Sequence, residues 1–389
     1  MFKKIISLSL ILFSASAAAD GLLRTTNLKK YCAQDGVHRQ TIIYLDQGII
    51  ARKDPNWYKD ILNKTKFLPG ERIQVVTIKS GGSTVEQAWD SCYPSYTKEK
   101  YQQLKKEEGF GSMFTGGVDE NMKNDVKSFT KWFKQALAHP LQDTKHETPP
   151  SYASGNFPDK KLVEALYYDA KRMDLENGIS RVIIFSDMME KSDLLDQQKF
   201  EPAKRAEAVA KRFPMFLNHA SIYVYGINYT NQDTALNEKM QRFWEQYLLT
   251  SGAHLEQYGT QLVLPRDNKV FDAHSYSGKL TQSDGKKLAT SMRLAYSDKG
   301  ELVHSWVTIS DHYLPISGTL NCSGQNCTVL ASIEASTFDG FEKKDVLKLS
   351  GSMKALSGSI GARDDSVIDE QGKIYRFDVE YAKDKNLSL

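Results

Sequence analysis

The stretch Ser180-Arg-Val-Ile-Ile-Phe-Ser186, followed at once by Asp187, decides the architecture. Val182 to Phe185 is a continuous apolar run with no polar face, which is the pattern of a central parallel strand buried on both sides. Upstream, Gln40-Thr-Ile-Ile-Tyr-Leu-Asp46 reads as a first strand, with a short helix near 56–63 behind it. Arg72-Ile-Gln-Val-Val-Thr-Ile78 reads as a second strand. Helices are expected over 120–137 and 159–173, the latter with Leu162, Ala165, Leu166 and Ala170 at helical spacing. Downstream come a helix over 202–213, a strand Ser221-Ile-Tyr-Val-Tyr-Gly226, a helix over 235–251 and a short strand over 261–264. This alternation predicts an α/β unit, a doubly wound and mostly parallel sheet over 38–265, with residues 20–37 as a lead-in.

Residues 81–117 interrupt the alternation as an irregular insertion, rich in Gly, Ser, Lys and Tyr, with one short helix near 98–108. Its aromatics, Tyr93, Tyr96, Tyr101, Phe110 and Phe114, follow no core-facing period. They serve either as contact residues or as pins holding the segment to its own unit. Tyr167 and Tyr168 are expected in the helix–sheet core.

After Pro265 the pattern becomes short strand-like runs separated by Gly, Ser, Asp and Asn, so residues 266–389 are expected to form a smaller all-β domain, a sandwich or a barrel. Four Ser-Gly steps recur there, at Ser277-Gly278, Ser317-Gly318, Ser350-Gly351 and Ser357-Gly358. Glycines inside strands mark bends, bulges or close backbone approach; their irregular spacing argues against a solenoid.

The first 19 residues carry Lys3 and Lys4, an apolar run over 5–13 and Ala17-Ala18-Ala19, the layout of a secretory signal peptide ending before Asp20. The apolar run is about half of the ~20 residues that span a bilayer, so no transmembrane segment is expected after its removal. The implied location is periplasmic or secreted. Four cysteines in an exported chain imply two disulfides among three connectivities, and spacing favours Cys32 with Cys92 and Cys322 with Cys327. Lys and Arg total 51 against 48 Asp and Glu, and without Lys3 and Lys4 the excess falls to one. That balance gives no electrostatic case for nucleic acid.

Ile42-Ile-Tyr-Leu-Asp46, Val182-Ile-Ile-Phe-Ser-Asp187 and Ile222-Tyr-Val-Tyr-Gly226, with the Trp244-containing helix that ends at Ser251-Gly252, resemble a von Willebrand factor type A domain of exported bacterial type. The resemblance covers residues 38–265 and implies a metal-ion-dependent adhesion site at the sheet's C-terminal edge. Asp46 matches the first aspartate of that site and Asp187 the third-loop aspartate. The family's two first-loop serines are replaced by Gly48 and Ile50, so the site is degenerate. Ser151 and Ser154 are the hydroxyls nearest the second loop, and Asp46, Asp187 and Ser154 form the candidate ligand set for a weakly held Mg²⁺ or Mn²⁺. The competing reading makes the two aspartates helix caps and partners of loop amides.

No Gly-x-Ser-x-Gly elbow, His-Glu-x-x-His helix or phosphate-binding loop is present. The expected function is therefore a non-catalytic interaction protein, binding a protein partner in the cell envelope or outside the cell. The rival readings are a metal-dependent hydrolase using Asp46 and Asp187 as an acid–base pair, and a structural envelope component. His254 reads equally as a helix-end residue or a ligand.

Overall fold

The computed structural model describes residues 28–32, 39–52, 54, 57–108, 117–144, 147–148, 150–151, 159–173, 179–195, 199–230, 232–265, 272–282, 284–310, 312–336, 344–361 and 376–383. Residues 1–19, read above as a signal peptide, and Ser154, Phe110 and Phe114 lie outside them.

The first unit is a six-stranded sheet. Its strands are β1 (Arg39–Asp46), β2 (Arg72–Ile78), β3 (Val85–Cys92), β4 (Ile179–Phe185), β5 (Ser221–Tyr225) and β6 (His254–Gly259), in the spatial order β3-β2-β1-β4-β5-β6. All neighbours run parallel except β2 and β3. β1 is buried at every residue, and its side chains alternate between the two faces. Ile42 and Tyr44 join the core covered by α4 (Leu162–Met173), α5 (Pro202–Arg212) and α6 (Thr234–Thr250). Ile43 and Leu45 join the opposite core, covered by α1 (Trp57–Lys64) and α3 (Val118–Ala138). A mostly parallel sheet with helices on both faces is thus present.

Two elements depart from the sequence expectation. Residues 85–92, read as part of an irregular insertion, form the antiparallel edge strand β3, and α2 (Lys98–Glu107) follows it. The last strand is 254–259 rather than 261–264. Leu262 nonetheless buries its side chain in the second core, while Val263 is exposed. Tyr93 and Tyr96 pack against that same core, and Tyr101 donates to Asp119 at 2.8 Å, so these three aromatics pin their segment to the unit. Tyr167 packs on the first core, but Tyr168 is 65% exposed, which corrects its expected burial.

The second unit is a closed eight-stranded barrel: β7 (Asp272–Thr281), β8 (Lys287–Tyr296), β9 (Ser305–Ile309), β10 (His312–Ser323), β11 (Asn326–Ile333), β12 (Val346–Ser352), β13 (Ala355–Gly361) and β14 (Arg376–Lys383). Each strand pairs antiparallel with its sequence neighbours and β14 closes on β7, an up-and-down arrangement that leaves no sheet edge. The interior is filled by side chains such as Tyr276, Leu294, Val307, Leu314, Leu347 and Ile360.

The Ser-Gly steps sit where neighbouring backbones approach closely. A Cβ at Gly318 would lie 2.1 Å from the Leu330 carbonyl oxygen, and one at Gly358 1.9 Å from that of Lys348. Those contacts exclude any side chain, which accounts for glycine in strands that otherwise disfavour it. The cysteines stand at disulfide distance in both expected pairs. Cys32 and Cys92 tie the turn at Leu28–Tyr31 to the end of β3, and Cys322 faces Cys327 across the β10–β11 hairpin. Among the described residues no helix is long and apolar enough to cross a membrane.

Candidate functional site

In a parallel sheet of this order the strand sequence reverses between β1 and β4, and the crevice beyond their carboxyl ends is where such sheets ordinarily hold ligands. Asp46 ends β1 and Asp187 follows β4 by two residues, so both predicted aspartates stand at that reversal. Ser186 Oγ donates to Asp46 Oδ2 at 2.6 Å and links the two strand ends.

Neither carboxylate faces solvent, since Asp46 is 1% and Asp187 0% exposed. Between them lies the ammonium of Lys160, 2.7 Å from Asp46 Oδ2 and 2.5 Å from Asp187 Oδ1. The remaining lone pairs are used locally: Asp46 Oδ1 accepts from the Gly48 amide at 2.9 Å, and Asp187 accepts from the Met189 amide and the Thr230 hydroxyl at 3.1 and 2.7 Å. Gln232 Nε2 in turn donates to Thr230 Oγ1 at 2.5 Å.

Lys160 is held by its backbone. It exchanges two hydrogen bonds with Lys191, at 3.1 and 2.8 Å, just ahead of α4. Glu190 accepts from the Val163 amide at the N-terminus of that helix and from Ser192. Burial pushes the Glu190 carboxyl up to about 7, against the opposing pull of these donors. Burial alone would push the Lys160 ammonium down, but the attraction of Asp187 and Asp46 outweighs it and raises its pKa. The cation is therefore permanent at any ordinary pH.

The oxygens that converge here, from Asp46, Asp187, Ser186 and Thr230, are the hard donors a divalent ion takes. The Lys160 ammonium nevertheless stands between the two carboxylates. A Cβ at position 48 would lie 3.0 Å from Asp46 Oδ1 and 3.6 Å from Lys160 Cε. A divalent ion does not fit the residues as they stand, and among the described residues no group of three His, Cys, Asp or Glu side chains is arranged to hold one. Ser151 lies among the described residues and Ser154 outside them. Sequence reasoning missed Lys160, Ser186 and Thr230. Only Ser186, as the residue between the apolar run and Asp187, carried any signal.

A second polar cluster lies at the opposite end of the sheet, where the barrel docks. His219 stacks between Trp306 and Tyr313, with ring centroids 3.8 and 4.5 Å away. Ser221, at the start of β5, donates to Glu256 at 3.2 Å and lies 2.7 Å from Nδ1 of His304. This is a serine with a histidine and a carboxylate, but the carboxylate accepts from the serine instead of orienting the imidazole. Glu256 also pairs with His254, so the three groups do not line up as nucleophile, base and orienting carboxylate. His254 pairs with Glu256 at 3.3 Å as a strand residue, neither at a helix end nor in a ligand group.

No protein-family model and no curated protein matches this chain. Among solved structures, the human COPII-coat protein Sec24c aligns over 89% of this chain and 43% of its own, at 9% identity and a TM-score of 0.30. The chain thus spans less than half the length of that protein.

Proposed function

We propose that this chain is an exported, non-catalytic interaction protein whose first unit is a von Willebrand factor type A-like domain that binds a protein partner without a bound metal ion. The supporting observation is the saturation of the strand-end carboxylates: Asp46 and Asp187 are buried, share the Lys160 ammonium and are hydrogen-bonded to their own loops. An acid–base pair needs one carboxylate within reach of a substrate proton, and these two have no open face. The same argument removes the need for a metal at the contact surface. The barrel docks at the N-terminal ends of β5 and β6, with Ser221 against His304. The face left to a partner is then the C-terminal edge, where most of the loop residues are buried and Arg52, Asp193 and Asn228 are exposed, with Lys191 partly so.

The reading is tested by capture. The protein from Asp20 onward, carrying a photo-crosslinker at Lys191 on the proposed face, is incubated with envelope and secreted fractions in buffer with and without EDTA. A discrete crosslinked protein that persists in EDTA supports the reading. Loss of that adduct in EDTA, or a hydrolytic activity abolished by Asp46→Ala with the fold intact, overturns it.

A further inference from the structure

We infer that Lys160 is a tethered cation standing where a divalent ion would otherwise be held, and that the oxygens around it form a latent divalent-cation site which the lysine keeps closed. The inference deepens the metal-independent reading above and rests on it, but it concerns the isolated protein and no partner.

Three features carry it. The ammonium is contacted from two strand ends in a residue that is 3% exposed. It lies within 2.7 Å of a carboxylate oxygen from each strand end. Two further oxygens, Ser186 Oγ and Thr230 Oγ1, are bonded to those carboxylates at 2.6 and 2.7 Å. Two carboxylates and two hydroxyls are a donor set suited to Mg²⁺ or Mn²⁺, with waters completing the shell.

The charge balance points the same way. Two carboxylates with one ammonium leave the cluster one negative charge, where a divalent ion would leave it neutral. Two ionised carboxylates in a poorly solvated site repel strongly and need either a shared proton or a cation. Lys160 meets that requirement by covalent attachment, so the cation cannot dissociate or be stripped by chelators.

The test is Mn²⁺ calorimetry and thermal unfolding on the wild-type protein, Lys160→Ala, Lys160→Met, and Lys160→Ala combined with Asp187→Ala. Wild type is expected to bind no Mn²⁺, and its Tm is expected not to move. Lys160→Ala is expected to take up one ion per chain and to gain roughly 5 °C or more at saturating Mn²⁺. Lys160→Met, whose side chain fills the same space without charge, and the double variant are expected to gain nothing. Saturable binding by wild type that Asp187→Ala abolishes overturns the inference, as does a folded Lys160→Ala that ignores Mn²⁺. Failure of Lys160→Ala to fold even in Mn²⁺ also overturns it, because the returned cation should restore the cluster. The capture experiment above can fail while this one succeeds, and the reverse, so the two readings are separable.

Discussion

Mild acid should separate the barrel from the sheet unit before either unit unfolds. Burial, reinforced by the Arg293 charge, holds His219 down at about 3. Burial also lowers His304, to about 4, with Glu256 opposing and Arg39, Arg181 and Arg293 assisting. The groups facing them across the junction are Glu256, His254, Arg293, Arg39, Arg181 and Tyr313. Both histidines are neutral when docked and recover an ordinary value near 6.5 when undocked. The undocked form therefore binds more protons, and docking is fully stable above pH 6.5 and weakens as pH falls toward 4. At pH 5 each histidine subtracts roughly 2 kcal/mol from docking, so the pair subtracts about 4 kcal/mol at most. Both side chains keep some solvent contact, which reduces that ceiling. The assay is small-angle scattering with tryptophan fluorescence between pH 7.5 and 4.5, Trp306 being the reporter that leaves the His219 ring. The radius of gyration is expected to rise between pH 6 and 5 while far-UV circular dichroism stays constant. In His219→Gln/His304→Gln that rise should disappear from this window. A wild-type radius that is flat to pH 4.5, or the same acid midpoint in the double variant, refutes the reasoning.

Three other outcomes follow from the packing. Lys160→Met strands two buried carboxylates and should cost about 3–5 kcal/mol in urea unfolding; a loss under 1 kcal/mol would mean the cluster does not depend on its cation. Gly358→Ala drives a Cβ to 1.9 Å from the Lys348 carbonyl and should destabilise the barrel by about 2–4 kcal/mol, whereas Gly82→Ala, with nothing within 4 Å, should be nearly neutral. Equal midpoints for these two variants would contradict the close-approach account. Replacing Cys32 and Cys92 by serine releases a crosslink spanning 60 residues and should cost on the order of 4 kcal/mol by the chain-entropy relation, measured by denaturant unfolding of the oxidised and mutant proteins.

The parts of the fold that could be read in advance are those in which burial imposes a period. β1 and β4 are apolar across both faces because helices cover both faces, so their sequences announce central strands. The edge strands β3 and β6 lack that signal. Val85-Glu-Gln-Ala-Trp-Asp-Ser-Cys92 has no apolar run, and its place in the sheet comes from backbone pairing with β2 and from the Cys32 bond. His254-Leu-Glu-Gln-Tyr-Gly259 is more polar than the segment that follows it, yet it is the one that pairs with β5. Propensity marks apolar chain, whereas hydrogen-bond geometry decides which chain extends a sheet. Tyr168 went wrong for a related reason: it shares the helix of Leu162, Leu166 and Ala170 but points off their stripe.

The candidate site divides along the same line. Asp46 and Asp187 were legible because each ends an apolar run at a strand terminus, a position tied to the fold. Lys160 lies in Asp159-Lys160-Lys161, which reads as solvated charge at the start of a helix. Of those three residues only Lys160 is buried, and its neighbour Lys161 is 42% exposed at the side chain. Nothing local distinguishes the two lysines. What selects Lys160 is the two-residue bridge to Lys191, which brings it to strand ends 140 residues apart in the chain. A charge whose partners are both distant in sequence leaves its mark on neither composition nor period.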